Sequence, residues 1–137
     1  MFRNPVEQGV CHFREIKPEE QSFVAHLKQQ AEQAGVLDRV VFTGPRPFEE
    51  LPRLFACMAI VTALSRNEGF GLTVLEAMSS GKAVIASRAG AWPDILTSEE
   101  DGLLVDIADA ASTQVALERL VTDEDLRARL ADNGRRT

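Results

Sequence analysis

From residue 36 onward, short runs rich in β-branched residues alternate with longer stretches whose apolar positions recur every three or four residues. That alternation is the pattern of βαβ units, in which a buried parallel strand is followed by an amphipathic crossover helix. Residues 39–43 (Arg-Val-Val-Phe-Thr) read as a strand, closed by Gly44, Pro45, Arg46 and Pro47, which cannot continue a ladder. In residues 48–58, Leu51, Leu54, Phe55 and Met58 fall on one helical face. Residues 59–64 are almost wholly apolar, as expected of a central parallel strand buried on both faces. A glycine-containing loop over 65–71 leads to a helix over 72–80, and Gly81 suits the left-handed conformation that ends helices. Residues 82–86 form the next central strand, 87–90 a loop, and 91–96 a short helix with Pro93 in its first turn. Residues 102–106 make the last strand. From Ala108 the chain is helical, and Asp123, Glu124 and Asp125 open the terminal helix where the helix dipole favours acids.

Upstream the pattern weakens. Only residues 21–34 carry a helical face, formed by Phe23, Val24, Leu27 and Ala31, while residues 10–16 are a rather polar candidate for an opening strand. The first few residues and 132–137 are expected to be flexible ends. The fold class implied is α/β, a Rossmann-like, doubly wound parallel sheet flanked by helices. The 137 residues suffice for one such domain and exclude a second of similar size. Residues 1–20 stand out as an atypical N-terminal segment.

Composition sharpens this picture. A hydrophobic content of 45% and a charged content of 26% are those of an ordinary globular chain, and no apolar run is long enough to span a membrane. The formal net charge of −6 argues against a nucleic-acid partner, so any anionic ligand must be held by a local site. Cys11 and Cys57 have no metal-ligand spacing and sit beside apolar residues, which predicts buried thiols in a reducing compartment. The N-terminus lacks a secretory pattern. A cytoplasmic location follows, with the inner face of the membrane reached through partners.

The candidate chemistry lies in Glu68-Gly-Phe-Gly-Leu-Thr-Val-Leu-Glu76. A strand, a glycine loop and a helix N-terminus form a ready anion site, because the first helical N–H groups are unpaired and carry partial positive charge. Gly69 and Gly71 admit a ligand that a Cβ would exclude. Two acids beside an anion site must serve something other than the anion, and a carboxylate can accept both hydroxyls of a vicinal diol. A nucleotide-diphospho-sugar has one diol on its ribose, which suits Glu76, and another on its hexose, which suits Glu68. His12 and His26 are isolated and read as surface residues, Trp92 as packing, and Asp106 and Asp109 as helix caps. No Asp-x-Asp pair follows a strand, so the site is expected to need neither metal nor cofactor.

These residues resemble a large family of retaining glycosyltransferases with the E-x7-E motif and the GT-B fold of two facing Rossmann-like domains. The wording from Ser65 to Ala91 is especially similar to lipopolysaccharide core biosynthesis mannosyltransferases, and the likeness runs from about Val36 to the C-terminus. The resemblance implies that the chain is the C-terminal, donor-binding half of such an enzyme and that the acceptor-binding domain is absent from it. It implies a hexosyl transfer, first of all of mannose from GDP-mannose, to a glycan or lipopolysaccharide core acceptor. By the same resemblance Glu68, the catalytic candidate, contacts the donor hexose and Glu76 the ribose. Gly69, Phe70, Gly71 and Leu72 present N–H groups to hexose and phosphate, Thr73 adds a hydroxyl, and Gly44 to Arg46 lie near the base. The family's glycine-rich first loop, with its Arg and Lys on the pyrophosphate, has no clear counterpart; Arg14 and Lys17 are the substitutes on offer. A non-catalytic nucleotide-binding or interaction module derived from this fold is the alternative, and a sugar-nucleotide epimerase shares the architecture but fits the motif less well.

Overall fold

The computed structural model describes residues 18–66, 69 and 71–137, with side chains from residue 21 onward. The chain divides into two compact units, residues 1–51 and 52–137.

In the first unit, helix α1 spans Pro18–Gln33. It ends where Gly35 turns left-handed, at φ 66°. The Gly35 N–H then reaches the Glu32 carbonyl and the Val36 N–H the Ala31 carbonyl, both at 2.9 Å, the paired closure typical of a helix ending at glycine. Val24, Leu27 and Ala31 are half-buried as their spacing predicts, whereas Phe23 lies exposed. Lys28 holds its ammonium 5.5 Å from the centre of the Phe42 ring. The strand expected over residues 39–43 is not formed among the described residues. A 3-10 turn, Leu37–Arg39, takes its first position, and Val40 is extended but joins no ladder. Valine content supplies the conformation, yet a strand exists only where a neighbour accepts its hydrogen bonds.

The region expected to be helical over 48–58 is a 3-10 turn, Phe48–Glu50, followed by helix α2 over Leu51–Ala56. Phe55 is buried, but Cys57 is exposed, against the expectation of a buried thiol. The helix stops one residue earlier, which swings Cys57 into the following turn, where its Sγ donates to the Arg53 carbonyl at 3.2 Å.

The second unit is built on three parallel strands, β1 (Ile60–Ala63), β2 (Ala83–Ser87) and β3 (Leu103–Val105), in the order β1-β2-β3. Ala63 faces Ala86 across one ladder, and Ser87 faces Val105 across the other. Every residue of β2 is buried, as a strand covered on both faces must be. β1 was expected to be equally central. Among the described strands it has a neighbour on one side only, and its Thr62 is exposed.

Helix α3 (Leu72–Ser79) joins β1 to β2, and the short α4 (Trp92–Ile95) joins β2 to β3. At the end of α3, Gly81 has φ 66°; its N–H reaches Met78 and that of Lys82 reaches Ala77, at 2.8 and 3.0 Å. Helices α5 (Ala110–Thr122) and α6 (Glu124–Arg136) follow β3. Asp109, a predicted cap, accepts from the Ala111 N–H at 3.0 Å, and Asp123, expected only as an opening acid, caps α6 by accepting from the Leu126 N–H at 2.8 Å. Such caps contribute about 1 kcal/mol each. Leu120 and Leu130 meet Ile85, Leu103 and Val105 in the core over the sheet. Each of these fully buried leucines contributes roughly 1.5–3 kcal/mol.

The end of the chain is held rather than loose. Thr137 Oγ1 donates to Asp101 at 3.1 Å and Asn133 to the Glu100 carbonyl at 2.7 Å. Gly134 is buried so closely that a Cβ there would lie 3.0 Å from the Asp101 carbonyl oxygen. The turn that receives these contacts contains Glu99 at φ 71°, a conformation costly for a side chain that carries a Cβ. Arg119 grips its carboxylate with two bonds of 2.6 and 2.8 Å.

Candidate functional site

In an open parallel sheet, ligands bind beyond the carboxyl ends of the strands. At the carboxyl end of β1 begins the loop that carries the sequence motif, and it runs into the N-terminus of α3. Gly71 is the N-cap, left-handed at φ 79°, and no side chain caps the helix. The N–H groups of Val74 and Leu75 both turn to the Gly71 carbonyl, at 3.0 and 3.3 Å. Among the described residues, none accepts from the N–H of Leu72 or Thr73, and both residues are exposed. Two unpaired amide donors and the partial positive charge of a helix end therefore face solvent together. An anion there gains about 0.3–1 kcal/mol from the dipole alone, before any hydrogen bond is counted.

The two glycines of the loop differ in what makes them glycine. A Cβ on Gly71 would stand 2.5 Å from Nε1 and 2.6 Å from Cδ1 of Trp92. The positive φ and the indole both demand glycine there. A Cβ on Gly69 would meet nothing within 4 Å, and its φ lies outside the left-handed range. The fold thus leaves Gly69 free to be another residue, so its requirement for a bare backbone would come from a ligand.

Glu76 is half-buried on α3, one turn beyond Leu72. It borders an open cavity of about 340 Å³ between α3 and the end of α6, together with Leu75, Met78 and Arg135. No hydrogen bond or ion pair to another side chain engages its carboxylate among the described residues, while its backbone carbonyl accepts from Ser79 Oγ at 3.0 Å. Arg46 belongs to the first unit, its side chain 3% exposed and its Nη1 3.3 Å from Glu50. The proposed contacts of Glu68, Phe70 and Lys17, and of Arg14, fall outside the described residues. Gly69, Gly71, Leu72 and Thr73 lie together at the start of α3, with Glu76 on the same helix.

Trp92 is fully buried against Gly71, as its reading as a packing residue predicts. Asp106 accepts from the Ala108 N–H at 2.9 Å, and His26 is exposed. Among the described residues there is no group of three or more His, Cys, Asp or Glu that could hold a metal ion, and no helix long and apolar enough to cross a membrane. Sequence reasoning missed Ser87. It is wholly buried at the end of β2, and its hydroxyl is bound to the backbone of Ser65. Only the register of β1 against β2 brings the two together, and no local pattern announces it.

A parallel α/β sheet with a glycine turn and an uncapped helix start beyond the carboxyl end of β1 is the architecture of the Rossmann-like domains. Residues 19–137 match the family described as glycosyl transferases group 1, and the chain belongs to that family. It is 41% identical over 106 residues to a D-inositol 3-phosphate glycosyltransferase of Corynebacterium jeikeium, an alignment covering 77% of this chain and 25% of that protein. It is 35% identical over 121 residues to the lipopolysaccharide core biosynthesis mannosyltransferase LpcC of Rhizobium leguminosarum, covering 88% and 34%. The chain thus spans about a quarter to a third of the length of these curated relatives. Among solved structures it resembles the C-terminal domain of a glycosyl transferase group 1 family protein (LpcC) from Francisella tularensis, with TM-score 0.77 and 40% identity over 88% of this chain and 62% of that one. Anabaena Alr3699/HepE in complex with UDP matches with TM-score 0.81 and 29% identity, over 88% and 33%. The likeness to a GT-B C-terminal domain read from the motif between Glu68 and Glu76 is thereby borne out, as is the α/β fold.

Proposed function

We propose that this domain binds the donor of a retaining hexosyl transfer, a nucleotide-diphospho-sugar, with its diphosphate on the amide donors of Leu72 and Thr73. The observation that carries the reading is the uncapped start of α3 behind Gly71, in a member of a glycosyltransferase family. In this reading Gly69, Phe70 and Gly71 bring backbone close to the hexose and phosphate, and the Thr73 hydroxyl adds a contact. Glu76 accepts the ribose hydroxyls and Glu68 those of the hexose. Lys17 supplies positive charge to the diphosphate, and the segment from Gly44 to Arg46 attends to the base.

Transfer would proceed as the bond between the anomeric carbon and the diphosphate breaks and negative charge grows on the leaving oxygens. Fixed N–H dipoles aimed at those oxygens stabilise that charge without reorganising, and they are worth most where charge develops. Glu68 would hold the hexose in register with the acceptor, which supplies rate through positioning. The acceptor, a glycan or lipid-linked sugar, is met by the N-terminal domain of a two-domain enzyme. GDP-mannose is the donor proposed first, supported by the likeness to the two LpcC proteins. The UDP complex of HepE makes a UDP-sugar its direct competitor.

The test is a titration of the 137-residue chain with GDP and with UDP, followed by amide NMR. Weak binding, roughly millimolar as befits half a site, should move Gly69, Gly71, Leu72 and Thr73 first. The isolated chain should transfer no sugar. Shifts confined to α5 and α6 would refute the site, and turnover by this chain alone would refute the division of labour.

A further inference from the structure

Ser87 ends β2, and in the parallel register its predecessor Ala86 faces Ala63, the last residue of β1. Beyond Ala63 the first strand leaves the sheet and becomes the loop. Ser87 does not leave: its backbone stays in the ladder opposite Val105, and the next N–H, of Arg88, reaches the Val105 carbonyl at 2.8 Å. From this fixed position the hydroxyl spans to Ser65, donating to its carbonyl oxygen at 2.6 Å and accepting from its N–H at 3.2 Å.

We propose that Ser87 is the positioning residue of the donor loop, its hydroxyl replacing the backbone rung that β1 gives up where the loop begins. A side chain that is at once donor and acceptor is required, since Ser65 offers one group of each kind. Alanine loses both bonds, and valine would fill the space while satisfying neither. At the other end of the loop Gly71 rests against the buried Trp92 indole. The loop is therefore fastened at Ser65 and at Gly71, while Gly69 between them faces open space. Fastening both ends sets where the amides of α3 stand relative to β1 without touching a ligand. The consequence for binding rests on the nucleotide reading above; the fastening of the loop does not.

The experiment compares Ser87→Ala and Ser87→Thr with the parent chain by amide hydrogen exchange and by affinity for GDP and UDP. In Ser87→Ala, exchange at Ser65, whose N–H loses its acceptor, should quicken by about tenfold, the scale of a lost buried hydrogen bond, while Val84 and Ile85 exchange as before. Nucleotide affinity should fall by a similar factor, and Ser87→Thr, which keeps the hydroxyl, should restore both. If Ser87→Ala fails to fold, Ser87→Cys, similar in volume but a weak donor, carries the same comparison. Unchanged loop exchange overturns the proposal, and so does equal quickening across the whole sheet, which would mark Ser87 as a core residue only. If the parent chain binds neither nucleotide, the nucleotide reading falls, and the exchange data alone decide the role of Ser87.

Discussion

Replacing Gly71 by alanine tests the local design of the site without any ligand. The residue has φ 79°, and an alanine held there costs about 1–2 kcal/mol through the clash of its Cβ with its own backbone. The new Cβ would also stand 2.5 and 2.6 Å from Trp92 Nε1 and Cδ1, and 3.1 Å from Ile95 Cδ1. The indole is fully buried and has no room to retreat, so the overpacking adds about 1–3 kcal/mol. The sum, roughly 2–5 kcal/mol, is large beside the 5–15 kcal/mol by which domains are stable, but below most of it. Gly71→Ala should therefore remain folded at low temperature and unfold at clearly lower urea. With a slope of about 2 kcal/mol per molar, the midpoint should fall by about 1–2.5 M. Gly69→Ala is the matched control: its Cβ meets nothing within 4 Å, and its midpoint should stay within the error of the parent. Its affinity for nucleoside diphosphate should nonetheless drop. A Gly71→Ala chain as stable as the parent would refute the steric argument, and a Gly69→Ala chain of unaltered affinity would refute close approach of the ligand.

Trp92 is the only tryptophan in the chain and lies against Gly71, so its fluorescence should change on titration with GDP or UDP; a silent signal with binding shown by NMR would mean that the loop does not adjust to the ligand. Asp101 is 7% exposed and accepts from the Thr97 N–H at 2.8 Å and from Thr137 at 3.1 Å, so Asp101→Ala should cost about 1–3 kcal/mol in urea unfolding, and a loss under 0.5 kcal/mol would contradict its role as an anchor. The carboxyl of Glu99 is held below the usual glutamate range, first by its hydrogen bond from Arg119. A depressed carboxylate stabilises the fold above its unfolded pKa, and that contribution is lost as pH falls through the folded value. Stability should thus decline in acid below about pH 4, and less steeply in Glu99→Gln, though the exposure of the pair keeps the difference small. Identical acid profiles for the two chains would show that the Glu99 carboxylate contributes nothing to the acid dependence of stability.

What the sequence disclosed depended on how local its cause was. Gly81 and Asp109 act within one turn of their helices and are legible because a cap needs only its own residues; Asp123 reads only as an acid at the start of the last helix, and the structure makes it the N-cap. Ala83 to Ala86 of β2 are equally plain, since a strand covered on both faces has no polar side to show, whereas its last buried residue, Ser87, reads as loop. Failure came wherever a distant partner decides. Residues 39–43 have strand composition but no described neighbour to pair with, and Cys57 became exposed when α2 ended one residue before it. The end of the chain looked loose because nothing in residues 132–137 reveals that Glu100 and Asp101 wait for Asn133 and Thr137. The same holds for the candidate site. Its glycines and acids are consecutive enough to form a motif, whereas Ser87 serves it from 22 residues beyond Ser65 through the register of two strands.

If the two acids of the motif read different ends of one donor, Glu68→Gln and Glu76→Gln should separate the affinities for a nucleoside diphosphate and for its nucleotide-sugar. Glu76→Gln should weaken binding of the bare diphosphate by about 1.5–3 kcal/mol, the worth of a hydrogen bond to a charged acceptor. That loss should vanish with a 2′,3′-dideoxyribose analogue. For Glu68→Gln, binding of the bare diphosphate should be unchanged, and only the extra affinity conferred by the hexose should be lost. Equal losses for both ligands in both variants would show that the acids act through the fold alone and that neither reads the donor.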